Sequence, residues 1–517
     1  MRAFTNGTVY RYDPLSAAYS RFPGLICEGS TILSLDPNDA GAGVERIDLQ
    51  GATVLPAFAD CHVHLTDTGY FVGPRDLSGV RTYDSFVRAV GQLPRERYIL
   101  AGQYDDALWE DRATADAKPL DRFFADALAM LVRIDGHSAI VNRKTLGWLK
   151  LPPNVAGLER GANGAPTGKL FFDANWIAQA KFMASIPLEA RRDAERRAAE
   201  LALSRGYLHL HVQLVGFARE QYAAEITALA ELPKAKWYPK ICEPDAKLAH
   251  ELGLPYVGGD VFLDGSIGSC TAAVSEPFAS GEVGALRMSD EDLFAYFSGA
   301  EELGISAGVH AIGDRAIEQC IATWERVFAR GRNPSTRHFI EHFEIARADQ
   351  IERCANLRIY LSMQPQFDEL WGGKGRMYDR RLGTERMRSM NALRRIAAAG
   401  AILCGGDDSP VCELSPLRGM QAVVDHHEPS ERLTPPQALT MYTYNAALLA
   451  HAETRTGILA PGRAADFVLL DRDPLNGSKF TECTVLQTWG DGELRFPASE
   501  VSKRRIRTRR SVKSHGS

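Results

Sequence analysis

The stretch Ser289–Glu344, SDEDLFAYFSGAEELGISAGVHAIGDRAIEQCIATWERVFARGRNPSTRHFIEHFE, sets the fold. It reads as helix (Ser289–Gly304), buried strand (Ile305–Gly313), amphipathic helix (Asp314–Gly331) and strand again (Thr336–Glu344). The unit repeats downstream, with a helix over Ala348–Leu357, a strand over Arg358–Gln366, a helix over Met387–Gly400 and a strand over Ala401–Pro410. Upstream, LEARRDAERRAAELALSRG is a helix that stops at Gly206, and YLHLHVQLVG is the strand after it. Short apolar strands alternating with helices imply a parallel sheet, and this many units favour an α/β chain closed into a (β/α) barrel over an open sheet. The segment of about 66–200 is too long for one crossover and is expected to hold an inserted subdomain or lid.

Both ends have another texture. TNGTVYRYD places an Asn-Gly turn signal between strand formers, and GILAPGRAADFVLLDRDPL and TVLQTWGDGELRF bring the strand pattern back. A small sheet domain made of 1–56 and 446–498, flanking a barrel over 57–445, follows as an expectation. The 499–517 segment carries seven basic side chains and reads as a solvated tail, with an RNA or membrane contact as the alternative.

The 517 residues are 45% hydrophobic and 24% charged, a globular balance that excludes collagen-like, coiled-coil or wholly disordered chains. A net charge of −5, or −12 without residues 502–517, argues against nucleic acid as the main partner. No apolar run approaches the ~20 residues that cross a bilayer, and MRAFTNGTVYRYDP lacks the order of a secretory signal. Nine cysteines without a CxxC pair read as reduced thiols of a cytoplasmic chain. A small molecule is the expected partner, no membrane is expected, and a homodimer is left open.

The chemistry concentrates at strand ends. In VLPAFADCHVHL, His62 and His64 are two apart, so a strand presents both imidazoles on one face as a chelating pair for a divalent ion such as zinc. The pattern alone is weak, since His209 and His211 repeat it on another predicted strand. His310 in SAGVHAIGD, His342 in FIEHFE, and Asp407 and Asp408 in AILCGGDDSP each follow an apolar strand and precede Gly, Pro or a loop. That is the texture of the C-terminal rim of a barrel, where a cation would pair acids and imidazoles that are otherwise costly to bury. Singly, His310 or His342 could equally be a hydrogen-bonded core histidine.

Taken together, several segments resemble the amidohydrolase superfamily, in its YtcJ-like and N-substituted formamide deformylase-like branch. They are LPAFADCHVHL, DGHSAIVN, APTGKL, FLDGSIGSCTAA, VHAIGDRAI, FIEHFE, SMQPQ, RLGTER, GGDDSPV and the closing GILAPGRAADFVLLDRDPL, in order along nearly the whole chain. The resemblance implies a distorted TIM barrel with a β-sandwich from both chain ends, and one or two divalent metals, usually zinc. It matches His62 and His64 to the first-strand metal pair, and His310 and His342 to the fifth and sixth strands. Asp408 matches the eighth-strand aspartate that binds metal and handles the proton.

Two departures stand out. Asp260 holds the place where many relatives carry a metal-bridging lysine, so it is either a bridging carboxylate or, with a single metal, a hydrogen-bond acceptor or a plain strand residue. Phe367 stands where relatives often have histidine. The implied reaction is hydrolysis of an amide or related non-peptide C–N bond by metal-activated water, with Asp408 as general base and then acid. His342 is either an electrophilic helper or a ligand. Asp407 is expected to be a neighbouring acceptor. Gln364 is placed in the barrel by analogy, as a substrate contact; His137 either touches substrate or ties down a loop. Asp264 reads as a rim turn residue or a substrate contact, Asp314 and Arg315 as an ion pair or cap, and Glu341 as facing the opposite side of its strand from His342, a weak catalytic candidate. A deaminase on the same site and a non-catalytic member of the fold are the rival readings.

Overall fold

The computed structural model describes residues 1–134, 136–216, 219–232 and 234–497. The basic tail over 499–517 lies outside the described residues. Eight short parallel strands carry the site: β1 (Phe58–Val63), β2 (Tyr207–Leu214), β3 (Lys236–Ile241), β4 (Tyr256–Val257), β5 (Ser306–Ala311), β6 (Phe339–His342), β7 (Tyr360–Met363) and β8 (Leu403–Gly405). They pair as one sheet in the order β3-β2-β1 and another in the order β4-β5-β6-β7-β8, all parallel.

The two sheets meet at both edges. Gly258 N–H, just after β4, donates to Ile241 O of β3 at 2.9 Å. On the other side Asp408 N–H donates to His62 O at 2.8 Å and His64 N–H to Ser409 O at 2.9 Å. Helices return the chain between strands, as the repeat unit requires. Asp290–Leu303 precedes β5 and ends on Gly304, which takes the left-handed conformation that a side chain resists. Asp314–Phe328 and Ala348–Asn356 follow, each burying one apolar stripe.

Between β1 and β2 the chain forms a separate five-stranded sheet, in the order Leu158–Arg160, Pro166–Phe171, Ser138–Val141, Leu128–Arg133, Tyr98–Tyr104. It has its own core around Phe86, Leu131 and Ile140. The expected end of this segment, near residue 200, falls inside the helix Leu188–Ser204 that leads into β2. At the chain ends, Arg2–Thr5, Leu25–Glu28, Thr31–Ser34 and Glu45–Asp48 form a four-stranded sheet. Thr8–Asp13, Ala18–Phe22 and Thr53–Pro56 join Phe467–Leu470, Val485–Gly490 and Glu493–Phe496 in a six-stranded one. Phe4, Ile32, Val54, Phe467 and Trp489 share one core between them. The Asn6-Gly7 turn is a corner between these two sheets, not a hairpin, because its flanking strands belong to different sheets. No helix among the described residues is long and apolar enough to cross a membrane.

Candidate functional site

β1 is buried along its whole length, and the period of two carries His62 and His64 to the same side at its C-terminal end, ring centroids 5.3 Å apart. Asp60 fixes this end from behind: its Oδ1 accepts from His62 N–H at 2.9 Å and from Asp407 N–H at 3.1 Å, tying β1 to β8. Asp408 follows β8 in a left-handed conformation (φ 54°), which turns it inward, toward the histidine pair. Asp260 arrives through Gly258 and Gly259, at φ 85° and 99°. A Cβ on Gly258 would stand 2.1 Å from Gly308 O, and one on Gly259 2.2 Å from Gln213 Oε1, so only a side-chain-free backbone passes here.

Four side chains converge as a result. His62 Nε2 lies 3.4 Å from Asp260 Oδ2 and 3.2 Å from Asp408 Oδ1; His64 Nε2 lies 3.2 and 3.0 Å from the same two oxygens. The other oxygen of Asp260, Oδ1, faces His342 Nε2 at 4.0 Å. Two overlapping three-donor sets result, His62–His64–Asp408 and His62–Asp260–His342, each with donor atoms within 4.8 Å of one another. His62 Nε2, Asp260 Oδ1 and Asp408 Oδ1 are buried without hydrogen-bond partners. Orphaned acceptors of this kind are costly to leave buried and suit a cation, and imidazole nitrogens with carboxylate oxygens suit a divalent one.

His310 stands beside this group, its ring 4.4 Å from that of His342, but belongs to neither donor set. Its Nδ1 lies 3.3 Å from Asp264 Oδ1. Asp264, expected as a turn residue, is a fixed acceptor: it takes Ala273 N–H at 2.9 Å, Ile312 N–H at 3.1 Å and Gly313 N–H at 2.8 Å, and so holds the His310 ring. Asp314 pairs with Arg347 at 3.2 Å and accepts Ser275 N–H at 2.8 Å, so its ion-pair partner is Arg347, not Arg315.

Two sequence expectations are corrected on β6 and β7. Glu341 does not face away from the site. Its Oε2 lies 2.9 Å from His62 Nδ1, and its Oε1 pairs with Lys240 Nζ at 3.0 Å, with Gln213 Nε2 at 3.3 Å. His342 reaches the same interior because the strand ends there in a left-handed residue (φ 74°), which breaks the alternation. Gln364, expected to touch substrate, sits behind His342 and does not line the cavity. Its Nε2 donates to Ser362 O at 3.3 Å, which leaves its Oε1 to accept His342 Nδ1–H at 2.8 Å. The His342 Nε2 lone pair is thereby turned toward Asp260.

Asp407 is also turned away from the donor groups. It accepts from Tyr207 Oη at 2.5 Å, Ser415 N–H at 2.6 Å and Gln366 Nε2 at 2.9 Å, and burial raises its carboxyl to about 7. His209 and His211 share a face of β2 with Gln213 but lie nearer the N-terminal end. His209 is held by Tyr238 Oη and Thr456 Oγ1, both at 3.1 Å, and His211 stacks on Tyr238. Only Gln213, further along, reaches His62, at 3.2 Å.

The electrostatics follow from the packing. Burial opposes a charge on His62, yet Asp260, Glu341 and Asp408 together hold it well above the ordinary imidazole value. Burial also works against the Asp408 charge, but His62 and His64 hold the carboxyl well below its usual range. His342 is pushed down to about 3 by burial and by His310 and His62, so it is a neutral donor. His64, Asp260, His310, His342 and Asp408 form the floor of a cavity of about 1010 Å³, with His62 buried beneath them and walls that include Trp176, Phe262, Phe367 and Trp371. His137 lines this cavity with its ring 5.3 Å from Trp176, edge to face.

A family comparison decides the lineage: the description "Amidohydrolase family" matches residues 45–496. The chain belongs to the amidohydrolase family. It is 29% identical to "Putative amidohydrolase YtcJ" of Bacillus subtilis (strain 168), over 83% of this chain and 86% of that one. It is 25% identical to the N-substituted formamide deformylase of Arthrobacter pascens, over 88% and 91%. Among solved structures, that of an uncharacterized metal-dependent hydrolase from Pyrococcus furiosus superposes with a TM-score of 0.73 at 27% identity, covering 92% of this chain and all of that one. These likenesses support a YtcJ-like amidohydrolase, a hydrolase that depends on a divalent metal. Lys240 and Gln213 carry only an ordinary strand signal in the sequence, and their shared partner Glu341 shows only once the strands are assembled.

Proposed function

We propose that this amidohydrolase cleaves an amide or related non-peptide C–N bond of a small molecule. The observation that carries the reading is the convergence of His62, His64, Asp260, Asp408 and His342, all but the fully buried His62 lining the floor of one cavity. The name of the Arthrobacter relative, a deformylase of N-substituted formamides, supports the bond type. The strand order and edge bonds support one closed, distorted barrel of β1–β8. The shared core of the two terminal sheets supports a sandwich domain built from both ends of the chain.

In this reading His62, His64 and Asp408 would hold one divalent ion, zinc by its fit to imidazole and carboxylate, and Asp260 and His342, beside His310, would hold a second. Such an ion supplies Lewis acidity, which makes water nucleophilic at neutral pH and polarises a carbonyl. Asp408, on the cavity floor, takes the proton of the attacking water and delivers it to the departing nitrogen. Glu341 and Gln364 keep the His62 and His342 rings oriented, and Asp264 does the same for His310. The aromatic walls exclude bulk water from the reacting carbon.

The test is a substrate panel of N-substituted formamides, other secondary amides and amino-heterocycles, scored for formate or carboxylate and for ammonia. Formation of an amine with formate or another carboxylate is the expected result. Ammonia release from the heterocycles alone would move the assignment to a deaminase. Purified protein with under about half an equivalent of divalent metal, and no turnover, would favour a non-catalytic member of the fold.

A further inference from the structure

A second group of metal-type donors lies outside the site described above. Helix Pro365–Trp371 follows β7, and its Phe367 stacks on His342 at 5.9 Å. The next residue, Asp368, is buried (2% exposed) and meets the 425–428 loop instead. Its Oδ2 accepts His427 N–H at 2.9 Å. Its Oδ1 is in close contact with His427 Nδ1 and lies 3.3 Å from His426 Nε2. The two imidazoles stack, with centroids 4.8 Å apart.

Three features set this group apart from an ordinary hydrogen-bonded histidine pair. The donor atoms of Asp368, His426 and His427 all lie within 4.8 Å of one another. The His426 side chain is 0% exposed, and its Nε2, although near Asp368, makes no hydrogen bond; His427 Nε2 is likewise buried without one. The wall is backbone: a Cβ on Gly372 would stand 2.6 Å from His427 Nδ1 and 2.7 Å from Asp368 Oδ1. Two imidazoles and one carboxylate are the donors that borderline divalent transition metals select, and calcium or magnesium would ask for more oxygens.

We propose that Asp368, His426 and His427 bind a divalent transition-metal ion, of the zinc, cobalt or nickel class, at a site separate from the catalytic floor. Its role is structural. Leu370 and Trp371 line the cavity from the same helix as Phe367, so an ion here fastens one cavity wall to the 425–428 loop. The proposal does not depend on the catalytic reading, since it shares none of its residues.

The experiment uses the full-length protein, stripped with chelator, reloaded with excess Zn²⁺, desalted and analysed for metal. His426→Gln and Asp368→Asn should each hold one equivalent less than the unsubstituted chain, with an unchanged far-ultraviolet circular dichroism spectrum. A His62→Ala chain should keep that equivalent and lose it only when His426→Gln is added. Co²⁺ titrated into the His62→Ala chain should give visible d–d bands of an imidazole site, and their saturating intensity should fall by one equivalent with His426→Gln. Equal metal content in unsubstituted, His426→Gln and Asp368→Asn proteins overturns the proposal. Should the single variants fail to fold, the absence of Co²⁺ bands in the folded His62→Ala chain overturns it as well. Failure of the catalytic reading has a different signature, namely unchanged metal content in the His62→Ala chain itself.

Discussion

Replacing Lys240 with methionine isolates the buried ion pair beneath the site. Lys240 and Glu341 are both 0% exposed, with Nζ and Oε1 3.0 Å apart. At that separation and an effective dielectric of about 20, the attraction is roughly 5 kcal/mol. Methionine keeps most of the stem volume, so the cavity contribution is small. What it leaves is a buried carboxylate with Gln213 and His62 as its remaining partners, and breaking such a pair from one side costs about 3–5 kcal/mol. Because Glu341 also orients His62, metal affinity or turnover should fall about 10–100-fold. Lys240→Met combined with Glu341→Gln leaves no charge at either position of the pair and should recover at least half of the lost stability. The measurement is urea-dependent hydrogen exchange on peptides covering β3 and β6, with the four proteins forming a double-mutant cycle. A single-variant loss below about 1 kcal/mol, the range of solvent-exposed pairs, or strict additivity in the cycle, would refute the burial argument.

Asp408→Asn should keep the fold and most of the metal while turnover drops by orders of magnitude; near-normal rates in the substrate panel would remove the proton role. His62→Ala should lose metal and activity together, and full metal content by elemental analysis would strike it from the donor set. Glu195 gives a pH signature away from the site. Its carboxyl accepts from Thr66 Oγ1 at 2.9 Å, and burial raises it from 4.5 to about 7. The folded chain therefore holds a proton that the unfolded chain has released, and stability falls as pH rises from about 4.5 through about 7. Glu195→Gln should remove that fall, a gain of about 3 kcal/mol at pH 8 relative to pH 4. Parallel pH profiles of the urea midpoint for the two proteins would sink this account.

The donor groups that sequence made legible are those whose geometry is set by strand period and strand end. His62 and His64 follow from a period of two on one buried strand, and Asp408 from a short strand followed by Gly-Gly. The residues that resisted reading depend on backbone conformations or on partners distant in the chain. Glu341 was placed on the wrong side because His342 occupies a left-handed terminus that alternation does not foresee. Gln364 was given to the substrate because its partner, the Nδ1 of His342, becomes evident only when β6 and β7 lie side by side. Asp368 and the histidines at 426 and 427 carry no common motif, since the pieces come from separate helix and loop segments. The inserted segment was legible as an interruption, but its five-stranded sheet was not, because mixed parallel and antiparallel pairing erases the regular helix-strand rhythm.

Strand Thr53–Pro56 lies between Thr8–Asp13 and Phe467–Leu470 in its sheet. On the ribosome, one of its edges must therefore wait for more than four hundred further residues to be made before its neighbour exists. An open edge on a nascent polypeptide invites pairing with other chains. The strand Phe467–Leu470 thus covers an edge laid down long before it: a product that stops short of Phe467 leaves that side of Thr53–Pro56 bare.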